Sequence, residues 1–441
     1  MEKIISPRGT KDILAPESFL WQFIEAKAME IFNLAGFEEI RTPIFEHTQL
    51  FSRAVGESSD IVNKEMYTFS DRSDRSITLR PEGTAGVVRA YIEHSMDRAS
   101  RPQKLWYRGP MFRYERPQTG RYRQFHQIGI EAIGSESPYL DLELIKLAHD
   151  FLSSLGLENL SLAINSIGNA QSREAYKKEL LSFLSEHQDH ICEDCKRRMT
   201  QNPLRVLDCK VPEDQKLYEN APAIDSSLDE DSRLVFQKIK DGLEALKINY
   251  IVDPSLVRGL DYYSHCVFEF KTDDKVLGQQ GTVLAGGRYD NLVSDLGASS
   301  ASPAVGWALG VERIAFLLSS QLDFSKRKKI FIVSDLAIEA AKLSLRLRKD
   351  TNIITEYDFD SAKIGKQLEK AEKRAASFAI FYLEDERQSS KFTLKNLDLE
   401  KGHPDKDKEF SSYEELILFL NEENLAKAGN NNLMKGISGK F

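Results

Sequence analysis

Apolar side chains recur at helical spacing near the start of the chain, at Phe19, Phe23 and Met29. Because side chains three and four residues apart share one face of an α-helix, this pattern predicts an amphipathic helix over residues 17–35. Gly36 follows the last apolar position and predicts the end of that helix.

Later segments alternate with the period of two that is typical of β-strands. Residues 39–46 include Pro43, which suits a strand at a sheet edge or an interface. Short turns connect the segments without regular strand–helix–strand alternation, which favours a mostly antiparallel sheet with helices. The remaining predicted strands of this part are 76–79, 104–107, 124–133, 161–164, 266–271, 282–285 and 304–309.

The pattern changes twice along the chain. Charged helical stretches at 172–186 and 232–247 predict an inserted helical domain. After a basic linker, the apolar run 330–333 begins a strand–helix–strand alternation, which predicts a small α/β domain. The predicted organisation is an α+β domain in two parts, 1–168 and 248–325, a helical insertion at 169–247, an α/β domain at 326–425 and a flexible tail at 426–441.

Composition limits the classes of protein to which this chain can belong. The length of 441 residues predicts about three domains, and 41% hydrophobic with 29% charged residues is typical of globular proteins. No apolar run approaches the roughly 20 residues that a membrane helix needs, and residues 1–9 do not resemble a signal peptide, so we expect a cytoplasmic protein without a membrane partner. The net charge of −8 argues against indiscriminate nucleic-acid coating.

One segment is basic, in contrast to the acidic chain as a whole. Seven basic residues lie between Arg101 and Arg123, with Glu115 as the single acid. Within it, residues 109–127 predict two antiparallel strands joined by a loop that contains proline and glycine. This arrangement suits a nucleotide, with Arg113 on a phosphate, Glu115 on the base amine and Phe125 stacking on the base. A basic surface hairpin without a ligand is the alternative.

Residues 109–127 resemble motif 2 of the class II aminoacyl-tRNA synthetases. Residues 41–46 are similar to motif 1 of that class, its dimer element, and residues 306–313 resemble motif 3. Two further peptides, 256–263 and 285–290, match the signatures of the histidyl-tRNA synthetase family. The resemblance extends over residues 3–420.

This resemblance implies a class II catalytic domain with a C-terminal anticodon-binding domain. It implies activation of L-histidine with ATP and Mg²⁺ to histidyl-adenylate, then transfer to histidine tRNA by a homodimer. Arg113 would bind the α-phosphate and Arg313 the γ-phosphate. Arg258 would stabilise the transition state opposite Arg113.

The remaining implied roles concern the amino acid, the nucleotide and the tRNA. The histidine pocket would comprise Glu82, Gly83, Thr84, Gln127, Glu131, Tyr262, Tyr263 and Tyr289, with Glu82 and Thr84 on the α-amino group and Gln127 at the carboxylate. ATP would contact Arg113, Glu115, Phe125, Arg258 and Arg313. tRNA would contact Arg116, Gln118, Arg121, Arg123, Lys363, Lys366 and Lys370, the lysines forming one basic helix face.

Alternatives of other classes stay open from the sequence. A non-catalytic relative acting as a regulatory subunit in histidine biosynthesis would be expected to lack the C-terminal domain and to lose active-site residues. A synthetase for another amino acid conflicts with the two signature peptides. A nucleic-acid-binding protein without chemistry is disfavoured by the acidic total.

Three of the four cysteines lie close together in the sequence, at 192, 195 and 209. Cys192 and Cys195 have the spacing of half a zinc site, but no fourth ligand is evident. We therefore expect reduced, partly buried thiols and no metal bound by cysteine or histidine.

Overall fold

The computed structural model describes residues 3–57, 59–118, 120–209, 211–257, 260–274, 277, 281–319, 321, 328–351, 353–360, 362–400 and 402–428. The chain divides into two compact units, Met1–Leu322 and Asp323–Phe441. Among the described residues, no helix combines the length and the apolar character needed to cross a membrane.

The first unit contains ten α-helices and eleven strands within the described ranges. The helices are α1 (Glu17–Leu34), α2 (Thr48–Val55), α3 (Thr84–Glu93), α4 (Pro138–Ser154), α5 (Ala170–Glu186), α6 (Glu193–Gln201), α7 (Pro212–Tyr218), α8 (Glu230–Ala245), α9 (Leu292–Asp295) and α10 (Val311–Ser319). The strands are β1 (Glu38–Glu39), β2 (Phe45–His47), β3 (Tyr67–Ser70), β4 (Ser76–Leu79), β5 (Gln103–Phe112), β6 (Gln124–Ile133), β7 (Ser161–Ser166), β8 (Tyr250–Val252), β9 (Ser264–Lys271), β10 (Thr282–Arg288) and β11 (Ala304–Gly310). Short 3₁₀ turns occur at Met96–Arg98, Gln188–His190, Pro203–Asp208 and Ile224–Ser227, and a π-helical turn at Ile61–Glu65.

An eight-stranded sheet forms the centre of this unit, in the order β1-β5-β6-β11-β10-β9-β7-β8. The six central strands pair antiparallel, and the two parallel pairs, β1 with β5 and β7 with β8, lie at the edges. The predicted mostly antiparallel sheet is confirmed. Hairpin connections between neighbouring strands explain it, since parallel pairs need longer crossovers.

The single strand predicted over 39–46 is two strands in the structure. β1 belongs to the large sheet, whereas β2 belongs to a three-stranded sheet of order β2-β4-β3. Pro43 lies between them and has no N–H to donate to a ladder, so the chain leaves one sheet there and enters the next.

Aromatic side chains pack α1 and α4 against one face of the large sheet. The Phe32 ring lies 5.7 Å from Trp106, 5.5 Å from Trp307 and 5.1 Å from Phe151, each in an edge-to-face arrangement. All four side chains are buried. α1 ends where predicted, with Gly36 at a positive φ of 79° just after it.

A buried ion pair fixes α4 to the end of β10. Arg288 Nε lies 3.1 Å from both carboxylate oxygens of Asp141, and the two side chains are 3% and 1% exposed. Arg288 also donates to the carbonyl of Ser135 at 2.8 Å. These contacts give Arg288, a residue of the 285–290 signature, a role in holding the fold.

Helices α5 to α8 carry the segment predicted as an insertion. Side-chain caps begin two of them: Asn169 accepts from the N–H of Ser172 at 2.9 Å, and Asp229 from that of Ser232 at 2.7 Å. Buried residues of the segment, such as Tyr176, belong to one hydrophobic core with residues of the sheet. The segment therefore packs onto the sheet through apolar contacts.

The second unit is a small α/β fold. Its strands are β12 (Lys329–Val333), β13 (Ile354–Tyr357), β14 (Phe378–Phe381), β15 (Phe392–Asn396) and β16 (Asp407–Phe410), in the order β13-β12-β14-β15-β16. Its helices are α11 (Ala337–Asp350), α12 (Ile364–Lys373), α13 (Glu384–Ser389) and α14 (Tyr413–Ala428). The predicted fold class, an α+β domain with an antiparallel sheet and a C-terminal α/β domain, is confirmed. α14 continues through residues 426–428, which were predicted as tail, and residues 429–441 lie outside the described part.

Candidate active site

Strands β5 and β6 present a row of side chains on the face of the large sheet that carries the site. Their register pairs Tyr107 with Gly129, and residues that lie directly opposite share a face. Because side chains alternate along a strand, Phe125, Gln127 and Glu131 project from this same face. The sequence-predicted residues of β6 are therefore brought together.

Glycines leave room for large side chains over this face. A Cβ on Gly129 would overlap the Tyr107 ring, and a Cβ on Gly306 would overlap the Glu131 carboxylate. Gly306 belongs to the motif 3 segment and pairs with Glu131 across β11 and β6. The glycines of these strands are thus required by volume, since any side chain would fill the space that the site occupies.

A buried carboxylate forms the centre of the site. Glu131 is 1% exposed, and its two oxygens accept hydrogen bonds from the Thr84 hydroxyl at 2.7 Å and the Tyr289 hydroxyl at 2.6 Å. Thr84 begins α3, whereas Tyr289 follows β10, so this carboxylate joins three distant parts of the sequence.

Glu82 holds the N-terminus of α3. Its oxygens accept from the backbone N–H groups of Thr84 at 2.7 Å and Ala85 at 2.8 Å. These N–H groups have no partner inside the helix, so the carboxylate satisfies them and complements the helix dipole. Gly83 lies between, and a Cβ there would overlap the Tyr107 ring.

Three tyrosine rings pack together beside Glu131. The Tyr262 ring lies 4.6 Å from Tyr263 and 5.5 Å from Tyr289, and all three side chains are buried. Their rings supply apolar walls, and their hydroxyls supply polar ends that must find partners when buried.

Burial shifts the pKa of both carboxylates in the pocket. Desolvation raises the pKa of Glu131 to about 8, against the lowering effect of the Tyr289 and Thr84 hydroxyls. Desolvation also raises the pKa of Glu82, while the N–H groups of Ala85 and Thr84 and the charge of Arg113 lower it. The pocket therefore favours a proton, or a bound cationic group, next to its carboxylates.

Two buried polar atoms on this face have no hydrogen-bond partner within the described part of the chain, Gln127 Oε1 and the Tyr107 hydroxyl. Such atoms are uncommon in folded proteins, and at a candidate site they leave a hydrogen bond that water or a ligand can supply. The atom of Gln127 is an acceptor, which suits the ammonium group of an amino acid, whereas the predicted contact with a carboxylate would use Nε2. Tyr107 was missed by the sequence analysis, because within the apolar run 104–107 it cannot be distinguished from a core residue.

Arg113 lies just beyond the end of β5, beside the Glu82 segment. Its Nε donates to the carbonyl of Pro81 at 2.9 Å, and its guanidinium lies 5.2 Å from the centre of the Phe125 ring. Its backbone N–H donates to the Arg123 carbonyl at 2.9 Å, which extends the β5–β6 pairing. The predicted phosphate-binding and base-stacking residues are therefore adjacent.

Three guanidinium groups lie around Glu115. Arg121 approaches it to 3.1 Å and Arg113 to 3.8 Å. Burial and the charge of Arg121 lower the pKa of Arg313, while Glu115 acts in the opposite direction. Two further carboxylates belong to this cluster, because Glu65 interacts with Arg113 and Arg121 and Glu269 with Arg313. Guanidinium and carboxylate groups are thus interleaved here. Arg258, the predicted catalytic residue, lies outside the described residues.

The motif 2 loop contains the predicted tRNA contacts of this unit. Arg116 and Gln118 are exposed, and Arg121 is engaged with Glu115. Arg123 is more constrained: its guanidinium lies 3.9 Å from the centre of the Tyr114 ring, and its Nε donates to the Glu115 carbonyl at 3.3 Å. These contacts give Arg123 a role in shaping the loop.

The three lysines predicted to contact tRNA in the second unit, one just before α12 and two within it, differ in their surroundings. Lys363 and Lys366 are exposed. Lys370 pairs with the buried Asp358 and approaches Asp360 to 3.6 Å, so its charge is already partly neutralised. Burial of Gln367 and Ala371 defines the packed face of the helix.

A second cluster of reactive side chains lies in the helical segment. The Sγ atoms of Cys192, Cys195 and Cys209 and a carboxylate oxygen of Asp214 all lie within 4.8 Å of one another. No fourth ligand for these thiols is evident in the sequence, and the fold provides a candidate in Asp214. The reason for expecting no metal there therefore no longer holds.

The raised pKa of Glu131 leads to a prediction about stability. Between pH 4.5, the ordinary value, and about 8, the folded chain retains a proton that the unfolded chain releases, so the free energy of unfolding falls as the pH rises. In urea titrations without ligands, we expect wild type to lose up to about 1.4 kcal/mol per pH unit more than Glu131→Gln. Asp225→Asn, at an exposed carboxylate, should follow wild type. Parallel pH profiles for wild type and Glu131→Gln would contradict the buried-proton argument.

Comparison with known proteins places the chain in a family. The family model described as histidyl-tRNA synthetase matches residues 9–314. The histidine–tRNA ligase of Halothermothrix orenii is 46% identical over 397 residues, which cover 89% of this chain and 94% of that protein. The histidine–tRNA ligase of Microcystis aeruginosa is 47% identical over 398 residues, 90% of this chain and 93% of that protein.

The chain is also similar to solved structures. The crystal structure of apo S. aureus histidyl-tRNA synthetase is 37% identical, has a TM-score of 0.77 and covers 95% of this chain and 100% of its own. A structure described as an ATP phosphoribosyltransferase regulatory subunit/histidyl-tRNA synthetase from Bacillus halodurans C is 22% identical with a TM-score of 0.63, over 87% of this chain and 99% of that one, and shares the fold alone. From the family model and the full-length relatives together, the chain belongs to the histidyl-tRNA synthetase family.

Proposed function

We propose that this protein activates L-histidine with ATP to form histidyl-adenylate and pyrophosphate. It then transfers the histidyl group to the 3′ end of histidine tRNA and releases AMP. The full-length relatives named as histidine–tRNA ligases support this activity. The observation that carries the choice of histidine is the buried Glu131 carboxylate between Thr84 and Tyr289, with tyrosines around it.

Glu131 and the tyrosines recognise the imidazole in this proposal. An imidazole ring has two nitrogens on its edge, and fixed polar partners at both distinguish it from other side chains of similar size. Glu131 accepts from one nitrogen, and Tyr263 faces the other. A pocket of this kind rejects amino acids without those nitrogens, because its own buried polar groups would remain unpaired.

The backbone of the amino acid lies toward the N-terminus of α3. Glu82 and Thr84 bind the ammonium group, and the unpaired oxygen of Gln127 is a further acceptor for it. Gly83 has no side chain, so the backbone at this position can lie close to the Tyr107 ring. The raised pKa of the buried Glu82 carboxylate supports this placement, since a bound cation would compensate the desolvation of the charged form.

ATP occupies the guanidinium cluster in this proposal. Arg113 binds the α-phosphate, Arg313 the γ-phosphate, and adenine stacks on Phe125 with its amine on Glu115. Mg²⁺, when bound, would neutralise negative charge on the phosphates. Glu269 fits as an oxygen donor for that ion, because it is buried on the same sheet face and close enough to Arg313 to raise its pKa.

The first step needs no general base. The histidine carboxylate is already ionised and attacks the α-phosphorus in line as pyrophosphate leaves. Charge accumulates on the non-bridging oxygens, so Arg113 and Arg258 lower the barrier by stabilising the transition state more than the ground state. In the second step a ribose hydroxyl attacks the mixed anhydride, and the leaving adenylate phosphate can accept its proton.

tRNA binding involves both units of the chain. Arg116, Gln118, Arg121 and Arg123 lie in or beside the motif 2 loop and meet the acceptor end. Lys363 and Lys366 of α12 contact the anticodon arm, and Lys370 contributes less because Asp358 already pairs with it. Residues 326–425 are thus assigned to anticodon binding, 1–168 and 248–325 to catalysis, and 169–247 to an inserted helical domain.

A homodimer forms through the motif 1 region in this proposal. Phe45 is 58% exposed and Phe69 48% exposed, and the register of the three-stranded sheet places both on one face. Exposed apolar residues that share a face are typical of interfaces. Ile44 extends this surface, being 44% exposed. The dimer acts in the cytoplasm.

The regulatory-subunit alternative is less well supported. Glu82, Arg113, Arg258 and Arg313 are all present, and residues 323–441 form a compact unit of their own. A protein that only senses histidine has no use for a cluster of guanidinium groups suited to a polyphosphate.

Removal of a phosphate-binding guanidinium should abolish adenylation. We expect Arg113→Ala and Arg258→Ala each to reduce histidine-dependent exchange of pyrophosphate into ATP by about 100-fold or more. Arg75→Gln, at an exposed arginine on the β3–β4 turn, is the matched control and should retain wild-type exchange. Exchange stimulated by another amino acid, or unaffected by both alanine variants, would remove the proposed mechanism.

The exposed lysines of α12 should matter for tRNA and not for adenylation. In the full chain we expect Lys363→Ala/Lys366→Ala to raise KM for histidine tRNA and to lower the salt dependence of binding by about one unit of slope per lost phosphate contact. Pyrophosphate exchange should be unchanged. Lys342→Ala, on α11, is the control. Equal tRNA affinity of the double variant and the control would refute the assignment.

The exposed phenylalanines of the three-stranded sheet should determine oligomeric state. We expect wild type to sediment as a dimer of the 50.2 kDa chain and Phe45→Glu/Phe69→Glu to weaken association by about 10-fold or more, since buried aromatic residues dominate interface energies. Phe359→Glu, at a 72% exposed phenylalanine of the second unit, should remain dimeric. A monomeric wild type would contradict the proposal.

A further inference from the structure

Three thiols and a carboxylate converge in the helical segment, away from the proposed active site. Cys192, Cys195, Cys209 and Asp214 each offer one donor atom, and these four atoms lie within 4.8 Å of one another. We propose that these side chains bind one Zn²⁺ ion with a structural role. The proposal does not depend on the reaction assigned above.

Two of the six distances among the donor atoms are close to those of a tetrahedral ion. With Zn–S bonds of about 2.3 Å, tetrahedral angles place two sulfurs about 3.8 Å apart and a sulfur and an oxygen about 3.6 Å apart. The Cys192 and Cys209 sulfurs are 3.8 Å apart, and the Cys209 sulfur lies 3.4 Å from Asp214 Oδ2. A disulfide would need about 2.05 Å, so Cys192 and Cys209 are not bonded to each other.

The local structure directs the four donors to one point. Cys192 precedes α6 and Cys195 lies in its first turn, so one helix N-terminus orients two sulfurs and its dipole favours thiolates. Cys209 follows the 3₁₀ turn Pro203–Asp208, and Asp214 lies in the first turn of α7. Three short consecutive elements therefore contribute, an arrangement typical of structural zinc sites.

Hydrogen bonds from the backbone hold the donors in place. The backbone N–H of Cys192 donates to both oxygens of Asp214, at 3.2 and 3.1 Å. The N–H of Val211 donates to the Cys209 sulfur at 3.4 Å. Bonds of this kind orient metal ligands and stabilise the negative charge on coordinating sulfur.

Burial of these side chains favours bound zinc over the simpler alternative of free thiols. Cys195 is 0%, Cys209 4% and Asp214 2% exposed, and within the described ranges no lysine or arginine forms an ion pair with Asp214. The Asp214 carboxylate accepts from the N–H of Cys192 and from the Cys209 thiol. A divalent cation would engage all four donor atoms at once, which separate thiol hydrogen bonds do not.

The position of the cluster indicates what the ion does. Between α6 and Cys209, Asn202 Nδ2 donates to Asp261 Oδ1 at 2.7 Å, and Arg205 donates to Asp60 at 2.9 Å. Asp261 belongs to the 256–263 signature peptide, which also contains Tyr263. Zinc would thus fix the turn that holds the signature peptide beside the histidine pocket.

Metal analysis of the full chain tests the proposal directly. After zinc supply and dialysis we expect about one zinc per wild-type chain, and near-zero zinc in Cys192→Ser and Cys209→Ser. Cys266→Ala, at the buried cysteine of β9 outside the cluster, should keep its zinc. Wild type without zinc, a Cys192–Cys209 disulfide in its intact mass, or equal zinc loss in Cys266→Ala would each overturn the proposal.

Cobalt substitution keeps the test independent of variant folding. Co²⁺ bound to wild type should give the intense d–d and thiolate charge-transfer absorption of a tetrahedral sulfur site, and Asp214→Asn should alter the d–d bands. Chelation should lower the unfolding midpoint by about 5 °C or more, with recovery on zinc addition. An octahedral cobalt spectrum, or no change of midpoint, would rule out a structural tetrahedral ion.

Discussion

Taking a carboxylate out of water costs free energy unless other groups replace the lost hydration. The candidate active site depends on the groups that replace it around Glu131. Two hydroxyls, from Thr84 and Tyr289, donate to it, and they come from a helix start and a strand end that are far apart in the sequence. The hydroxyls offset only part of the desolvation, and the pKa of Glu131 stays near 8. Under the proposed function, this remaining deficit would favour a ligand with an N–H group, which can supply what the protein does not.

The proposed phosphate side brings guanidinium groups together. Arg113 and Arg121 lie within 3.8 Å of Glu115, and the charge of Arg121 acts on Arg313. Glu65 and Glu269 are further carboxylates of this cluster. Under the proposed function, a polyphosphate would bind the guanidinium groups and offset the repulsion among them.

Periodicity predicted most of the fold, because alternation and helical spacing are local properties. Strand 124–133 and the helix from Glu17 were predicted to within a residue. The break of strand 39–46 was not, since a proline at an edge and a proline between two sheets look alike in sequence. The functional groups of the 109–127 hairpin were predicted together because one hairpin carries them. Tyr107 and Asp214 were missed, since only tertiary packing shows that one hydroxyl lacks a partner and that one carboxylate lies beside three thiols.

The two signature peptides combine residues that face the ligand site with residues that hold the scaffold. Tyr289 bonds Glu131, whereas its neighbour Arg288 is buried against Asp141 of α4. Tyr263 lines the pocket, whereas Asp261 is held by Asn202 of the helical segment. Each pocket tyrosine is therefore within two residues of a buried or bonded charged side chain that fixes its backbone. A rigid backbone is what lets a tyrosine hydroxyl stay within hydrogen-bond distance of one carboxylate, so the scaffold residues are as necessary to recognition as the tyrosines.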